Sequence, residues 1–137
     1  MIVLHSVKPI LMLIPNEQEK SLFQYIPPSA HTVVMQWINH YPVYIRIVNR
    51  RNSKAGDYRY TGKETPARIT INRDENKYRF LFVLTHELAH HISVTKADKR
   101  IKPHGKEWKE NLFEMLLQLQ NEKVFPEDIT LALPTSP

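Results

Sequence analysis

Apolar positions along the chain follow two different periods. Val33, Val34, Trp37 and Ile38 recur at helical spacing, with Ser29 placed to cap a helix and Pro42 beyond its end. A shorter helix over 17–25 is expected before it, opened by Asn16 and stopped by Pro27 and Pro28. The period then falls to two. Val43, Ile45 and Ile47 alternate with Tyr44, Arg46 and Val48, and Tyr58 and Tyr60 alternate with Asp57 and Arg59. Ile69 and Ile71 alternate with Arg68, Thr70 and Asn72, so three short strands are predicted. Between them, Arg50 to Gly56 and Thr61-Gly62 read as turns. A long apolar run predicts a helix over about 77–95, with Asp74 or Asn76 in position to cap it. Lys96 to Pro103 is a polar connector. A last helix over roughly 104–121 places Trp108, Leu112, Met115, Leu116 and Leu119 on one face. This order predicts an α+β domain, with helices packed on a small three-stranded antiparallel sheet. The domain is expected to span 17–125, with residues 1–16 as an arm and 126–137 as a tail that ends in a helical turn.

The long apolar helix carries a feature that packing does not explain. His86-Glu87-Leu88-Ala89-His90 sits between Phe80-Leu81-Phe82-Val83-Leu84 and Ile92. Three ionisable groups in such a setting are costly without a compensating ligand. Histidines four apart project from one face of a helix and can share one zinc ion. The glutamate beside them is placed to take a proton from an attacking water and pass it to a leaving amine. A catalytic zinc needs a third protein ligand. His104, between Pro103 and Gly105 at the start of the last helix, is the favoured candidate, and Glu107, Glu110 and Glu114 are its rivals. His91 points about 100° around the helix from His90 and reads as a packed or hydrogen-bonded histidine. His5, His31 and His40 have no metal-ligand spacing and read as structural.

Thr85-His86-Glu87-Leu88-Ala89-His90-His91, followed by Pro103-His104-Gly105-Lys106-Glu107-Trp108, resembles the SprT-like zinc metallopeptidase domain. Gly56-Asp57-Tyr58-Arg59 and Ile69-Thr70-Ile71-Asn72 are similar to the strands before that family's active helix. The resemblance covers about residues 17–121. It implies a zincin-like, minimal metallopeptidase fold with the HExxH motif on a central helix. It also implies one Zn²⁺ held by His86, His90 and His104, with Glu87 as the catalytic general base and acid. Protein or peptide would be the substrate, lying extended beside an exposed sheet edge, and by analogy that edge is 68–72. Tyr58, Arg59 and His91 are the candidates for stabilising the oxyanion or contacting substrate. Many family members add a four-cysteine zinc ribbon, which this chain, lacking cysteine, does not contain.

Composition narrows the picture further. The 137 residues suit one domain, and 42% apolar with 24% charged residues is a globular balance. With no cysteine, disulfides, thiolate metal sites and a cysteine nucleophile are excluded within the chain, and a reducing, cytoplasmic setting is expected. No apolar run reaches the roughly 20 residues of a membrane span, and residues 1–14 lack the basic start and cleavage site of a signal peptide. The net charge of +5 is concentrated in residues 46–79, which hold ten bases against four acids. A nucleic-acid partner is the expectation from that excess, with Arg46, Arg50, Arg51, Lys54, Arg59 and Arg68 as contacts. The family includes proteases of DNA-bound proteins, so DNA and peptide are compatible partners. The competing reading is a nucleic-acid-binding module whose zinc site is structural or vestigial.

Overall fold

A computed structural model describes residues 22–126. The expected arm, residues 17–21 of the first expected helix and residues 127–137 of the tail lie outside the described residues. The described chain starts in a helical turn, 22–25, and passes through a 3₁₀ turn, Pro28–Ala30, into helix α1, His31–His40. Strands β1 (Tyr44–Val48), β2 (Gly56–Arg59) and β3 (Arg68–Asn72) follow, then helix α2 (Lys77–Ala97) and helix α3 (Lys106–Asn121). The architecture is α+β, as the alternation of periods predicts. No helix among the described residues is long and apolar enough to cross a membrane.

The sheet is mixed, not antiparallel. Its order is β1-β3-β2, with β3 in the middle. β1 runs parallel to β3, Ile45 opposite Ile69, and β2 runs antiparallel to it, Tyr58 opposite Ile69. Alternation reveals which face of a strand is buried but carries no information on pairing direction. The connection between β1 and β2, residues 49–55, is longer than the two to five residues of a tight hairpin, so these strands are free to part. β3 takes the centre because it has the most buried inner face, with Ile69 and Ile71 fully covered. The 68–72 segment is therefore not an edge. Within this sheet the edges are β1 and β2.

The inner face of the sheet rests on α2, which also packs against α3. α2 is buried almost all round: Phe80, Leu81, Leu84, Leu88, Ala89 and Ile92 face the core. Its polar residues find partners inside. Thr85 Oγ1 donates to the Leu81 carbonyl and Ser93 Oγ to that of Ala89, both at 2.7 Å. Asn111 of α3 then donates to Ser93 Oγ at 2.8 Å and accepts from Lys96 Nζ at 2.9 Å. These bonds clasp the two helices together. Trp37 of α1 adds a further tie to α3, its indole donating to Gln118 Oε1 at 2.6 Å.

Helix starts are more local. Asn76, not Asp74, caps α2, and its side chain accepts from the amides of Tyr78 and Arg79, each at 3.1 Å. Asp74 instead accepts from the Asn76 amide and pairs with Arg79. Ser29 does not cap α1; the preceding 3₁₀ turn makes Ala30 the N-cap residue, with no side-chain bond. α3 begins at Lys106 rather than 104, because His104 is left-handed at φ 60° and Gly105 is extended. Replacing Asn76 with Ala leaves two amides of the first turn of α2 without their acceptor. A loss of about 1 kcal/mol in urea unfolding is expected, with no change in secondary-structure content.

Candidate metal centre

Two segments bring three histidines together at the middle of α2. His86 and His90 stand one turn apart on the same helical face. His104 reaches them from the connector before α3, and its left-handed backbone turns the ring back toward α2. Such a conformation costs a non-glycine residue of the order of 1 kcal/mol and persists only where the surroundings fix it. Here Asp98, also left-handed at φ 58°, ends α2, and Lys63 pairs with it at 2.9 Å. Arg100 donates to the Tyr60 carbonyl at 2.9 Å. The connector is thus fastened to the β2–β3 loop at two points before it reaches His104.

One ring nitrogen from each of His86, His90 and His104 lies within 4.8 Å of the other two. His86 Nε2 and His104 Nε2 are 3.2 Å apart. Two nitrogens held by one tetrahedral zinc at about 2.0–2.1 Å are about 3.4 Å from each other, so the donor set fits such an ion. No carboxylate of α3 joins the cluster, so Glu107, Glu110 and Glu114 fall away as rivals of His104 among the described residues.

Trp108 forms a wall of this cluster. Its ring centroid is 4.8 Å from that of His86, 5.4 Å from His90 and 4.6 Å from His104. Its indole N–H donates to the His86 carbonyl at 3.2 Å. On the sequence Trp108 is one member of an apolar face. The signs of its second role are its position one turn after His104 and its place at the end of the Pro103-His104-Gly105 motif.

The electrostatics favour neutral imidazoles. Burial lowers the pKa of His90 to about 4, helped by His86 and His104, and burial followed by the nearness of His104 lowers that of His86. Metal ligation needs neutral rings, so near pH 7 these two are already in the binding form. Burial raises Glu87 to about 7, with Asp57 adding to the rise and Arg51 opposing it. Glu87 is only 6% exposed. Its carboxylate lies against Gly56 of β2: a Cβ there would meet Glu87 Oε2 at 3.3 Å and Val83 Cγ1 at 2.8 Å. Glycine at 56 is what lets β2 come this close to α2. Arg51 anchors the approach, donating to Asp57 Oδ2 at 2.7 Å and to Asn72 Oδ1 at 2.8 Å. The influence of Asp57 and Arg51 on Glu87 cannot be found by spacing, because β2 meets α2 only in the folded chain.

The three residues considered for oxyanion contact lie in different settings. His91 is buried, and its Nε2 is 2.9 Å from the Pro42 carbonyl. A carbonyl can only accept, so Nε2 carries the proton and Nδ1 accepts from Tyr58 Oη at 2.9 Å. Tyr58 therefore spends its hydroxyl on His91, and its ring lies nearly parallel to His90 at 6.2 Å between centroids. Burial also raises the pKa of its hydroxyl, keeping it protonated. Arg59 is exposed at the end of β2. The proposed nucleic-acid contacts also divide. Arg51 is half-buried and committed to Asp57, whereas Arg46, Arg50, Lys54, Arg59 and Arg68 are exposed.

The SprT-like family model matches residues 29–126, which contain every element from α1 to α3, and the chain belongs to that family. It is 37% identical over 83 residues to Protein SprT of Proteus mirabilis (strain HI4320), an alignment covering 60% of this chain and 48% of that protein. The chain thus spans about half the length of this relative. No solved structure matches it.

The position of Glu87 has a consequence for stability. A carboxyl with pKa about 7 in the folded chain and 4.5 unfolded keeps its proton on the folded side between those values. Stability is then full below pH 4.5 and is lost as pH rises through 7. Metal-free wild type should lose about 3 kcal/mol relative to Glu87→Gln between pH 4.5 and pH 8, measured by urea unfolding at both values. A constant difference between the two proteins would mean that the carboxyl is not held in its protonated form.

Proposed function

We propose that this protein is a zinc-dependent endopeptidase. The observation that carries the reading is three convergent imidazoles beside a buried carboxylate on one helix. His86, His90 and His104 would hold the ion, leaving one tetrahedral position for a ligand from solvent or substrate. Zinc held there supplies Lewis acidity, polarising a carbonyl and making water a nucleophile near neutral pH. Glu87, buried on the helix turn that carries His86 and His90, would accept a proton from water and return it to the departing amine. Tyr58 gives its hydroxyl to His91, which in turn gives its ring N–H to the Pro42 carbonyl, so the pair would hold β2 against α2. A substrate chain would pair with β2, the sheet edge that borders Glu87, in place of 68–72. DNA-associated proteins are the targets this family reading favours.

The zinc-loaded protein should contain one ion per chain by elemental analysis. His104→Ala should weaken zinc binding at least about 100-fold, and Glu87→Gln should retain it while lowering peptide hydrolysis by about 10²–10⁴. Zinc affinity untouched by His104→Ala would remove the three-histidine site, and hydrolysis untouched by Glu87→Gln would remove the proton carrier.

A second reading, nucleic-acid binding, is favoured by one arrangement. Arg46, Arg59 and Arg68 alternate with the inward-facing Ile45, Tyr58 and Ile69, and so share the outer face of the sheet. Affinity for a single-stranded oligonucleotide should fall steeply between 50 and 200 mM salt. Replacing all three with Gln should flatten the slope of log K against log salt by about 2. A slope unchanged by that variant would place any nucleic-acid contact elsewhere.

A further inference from the structure

A cavity of about 850 Å³ opens between the 50–55 loop, the 72–75 segment and the first turns of α2. It is separate from the histidine cluster but adjoins it. Val83 lines the cavity and is also the side chain that closes on Gly56, immediately before Glu87 on the same helical face. From Val83 to Glu87 the helix rises about 6 Å. An extended chain covers that distance in about two residues. A substrate strand lying along β2 would therefore carry a side chain into this cavity about two residues from the bond facing Glu87.

The lining has a definite chemistry. Phe80 and Val83 supply an apolar floor, and five cationic side chains face two carboxylates, Asp74 and Glu75. The pairings do not consume this excess. Arg79 binds Asp74 at 2.8 Å, and Arg51 binds Asp57. Arg73 donates to the Tyr25 hydroxyl and to Asn49, neither of them charged. Arg50 and Lys54 stand exposed at the rim, Lys54 sharing Asp57 only at 3.5 Å. A methylene stem against the floor and a carboxylate at the rim would match both parts. The cavity has room for several residues of an extended chain, and its cations ring an apolar floor, whereas a nucleic-acid backbone calls for a row of cations along an open track.

We infer that this cavity is a specificity subsite that receives an acidic side chain of the substrate, so that acidic stretches of polypeptide are preferred. The inference rests on the peptidase reading for the placement of the chain, and its test reads binding, not turnover. Zinc-loaded Glu87→Gln protein is titrated into two fluorescent eight-residue peptides that differ only in Glu against Gln at alternate positions, with anisotropy as the readout. The Glu peptide should bind about tenfold more tightly, the size of one charge-assisted contact. Adding Arg50→Gln/Lys54→Gln should abolish the difference, while Lys99→Gln/Lys109→Gln, which removes the same charge elsewhere, should preserve it.

Equal affinity for the two peptides would overturn the inference. So would an equal loss in both double variants, which would reduce the effect to net charge. Loss of single-stranded oligonucleotide binding in Arg50→Gln/Lys54→Gln, with the Glu preference intact, would assign the cavity to phosphates and overturn it too. Glu-selective binding that depends on Arg50 and Lys54, in a protein that takes up no zinc, would keep the cavity as an acidic-chain site but overturn its role as a peptidase subsite.

Discussion

Desolvation of ionisable side chains on the central helix is the constraint on which the rest of this structure depends. α2 lies between the sheet and α3, and its burial is what organises the core. Yet that helix carries His86, Glu87, His90 and His91, groups that ordinarily seek water. Each is accommodated in its own way. His91 is satisfied on both ring nitrogens, Glu87 shifts toward its neutral form, and His86 and His90 resist protonation and turn toward His104. A helix evolved for packing alone would place leucines there. The retained polarity, and its convergence on one point, is the physical argument for a site.

Five further polar contacts hold that point in place. The Ser93–Asn111–Lys96 bonds fix α3 on α2, and α3 brings Trp108 under the three rings. Lys63–Asp98 and Arg100–Tyr60 fix the connector that delivers His104. On the other side, Arg51 secures β2 where Gly56 allows it to touch Glu87. Surface ion pairs of this kind contribute little stability individually. Their value here is positional, since a donor set for one ion tolerates small errors only.

What the sequence discloses and what it withholds divide along physical lines. Local chemistry is legible: the period of α2, a cap at Asp74 or Asn76 and the pair of histidines four apart follow from spacing, and His104 stands out beside Gly105 once the family resemblance is added. Pairing direction is not, because the alternation in Ile45-Arg46-Ile47 and Arg68-Ile69-Thr70 looks the same whether strands run parallel or antiparallel. The central place of β3, and that of β2 instead of 68–72 as the edge by Glu87, are therefore seen only in the folded chain. Contacts between distant segments are also hidden. Tyr58 reads as a candidate for oxyanion contact until His91 is seen to hold its hydroxyl, and Asp57 as a strand residue with no tie to Glu87 until Gly56 brings β2 against α2.

Trp108 has a consequence of a different kind. An indole within 4.6–5.4 Å of all three imidazole centroids is an optical probe that the fold has placed beside the donor set. The other tryptophan, Trp37, is bound to Gln118 in the body of the domain and supplies an internal reference. Emission from the pair separates occupancy of the cluster from loosening of the core, and a paramagnetic ion taken up by the histidines would quench one chromophore and spare the other. Loading of this protein can thus be followed in real time without a label.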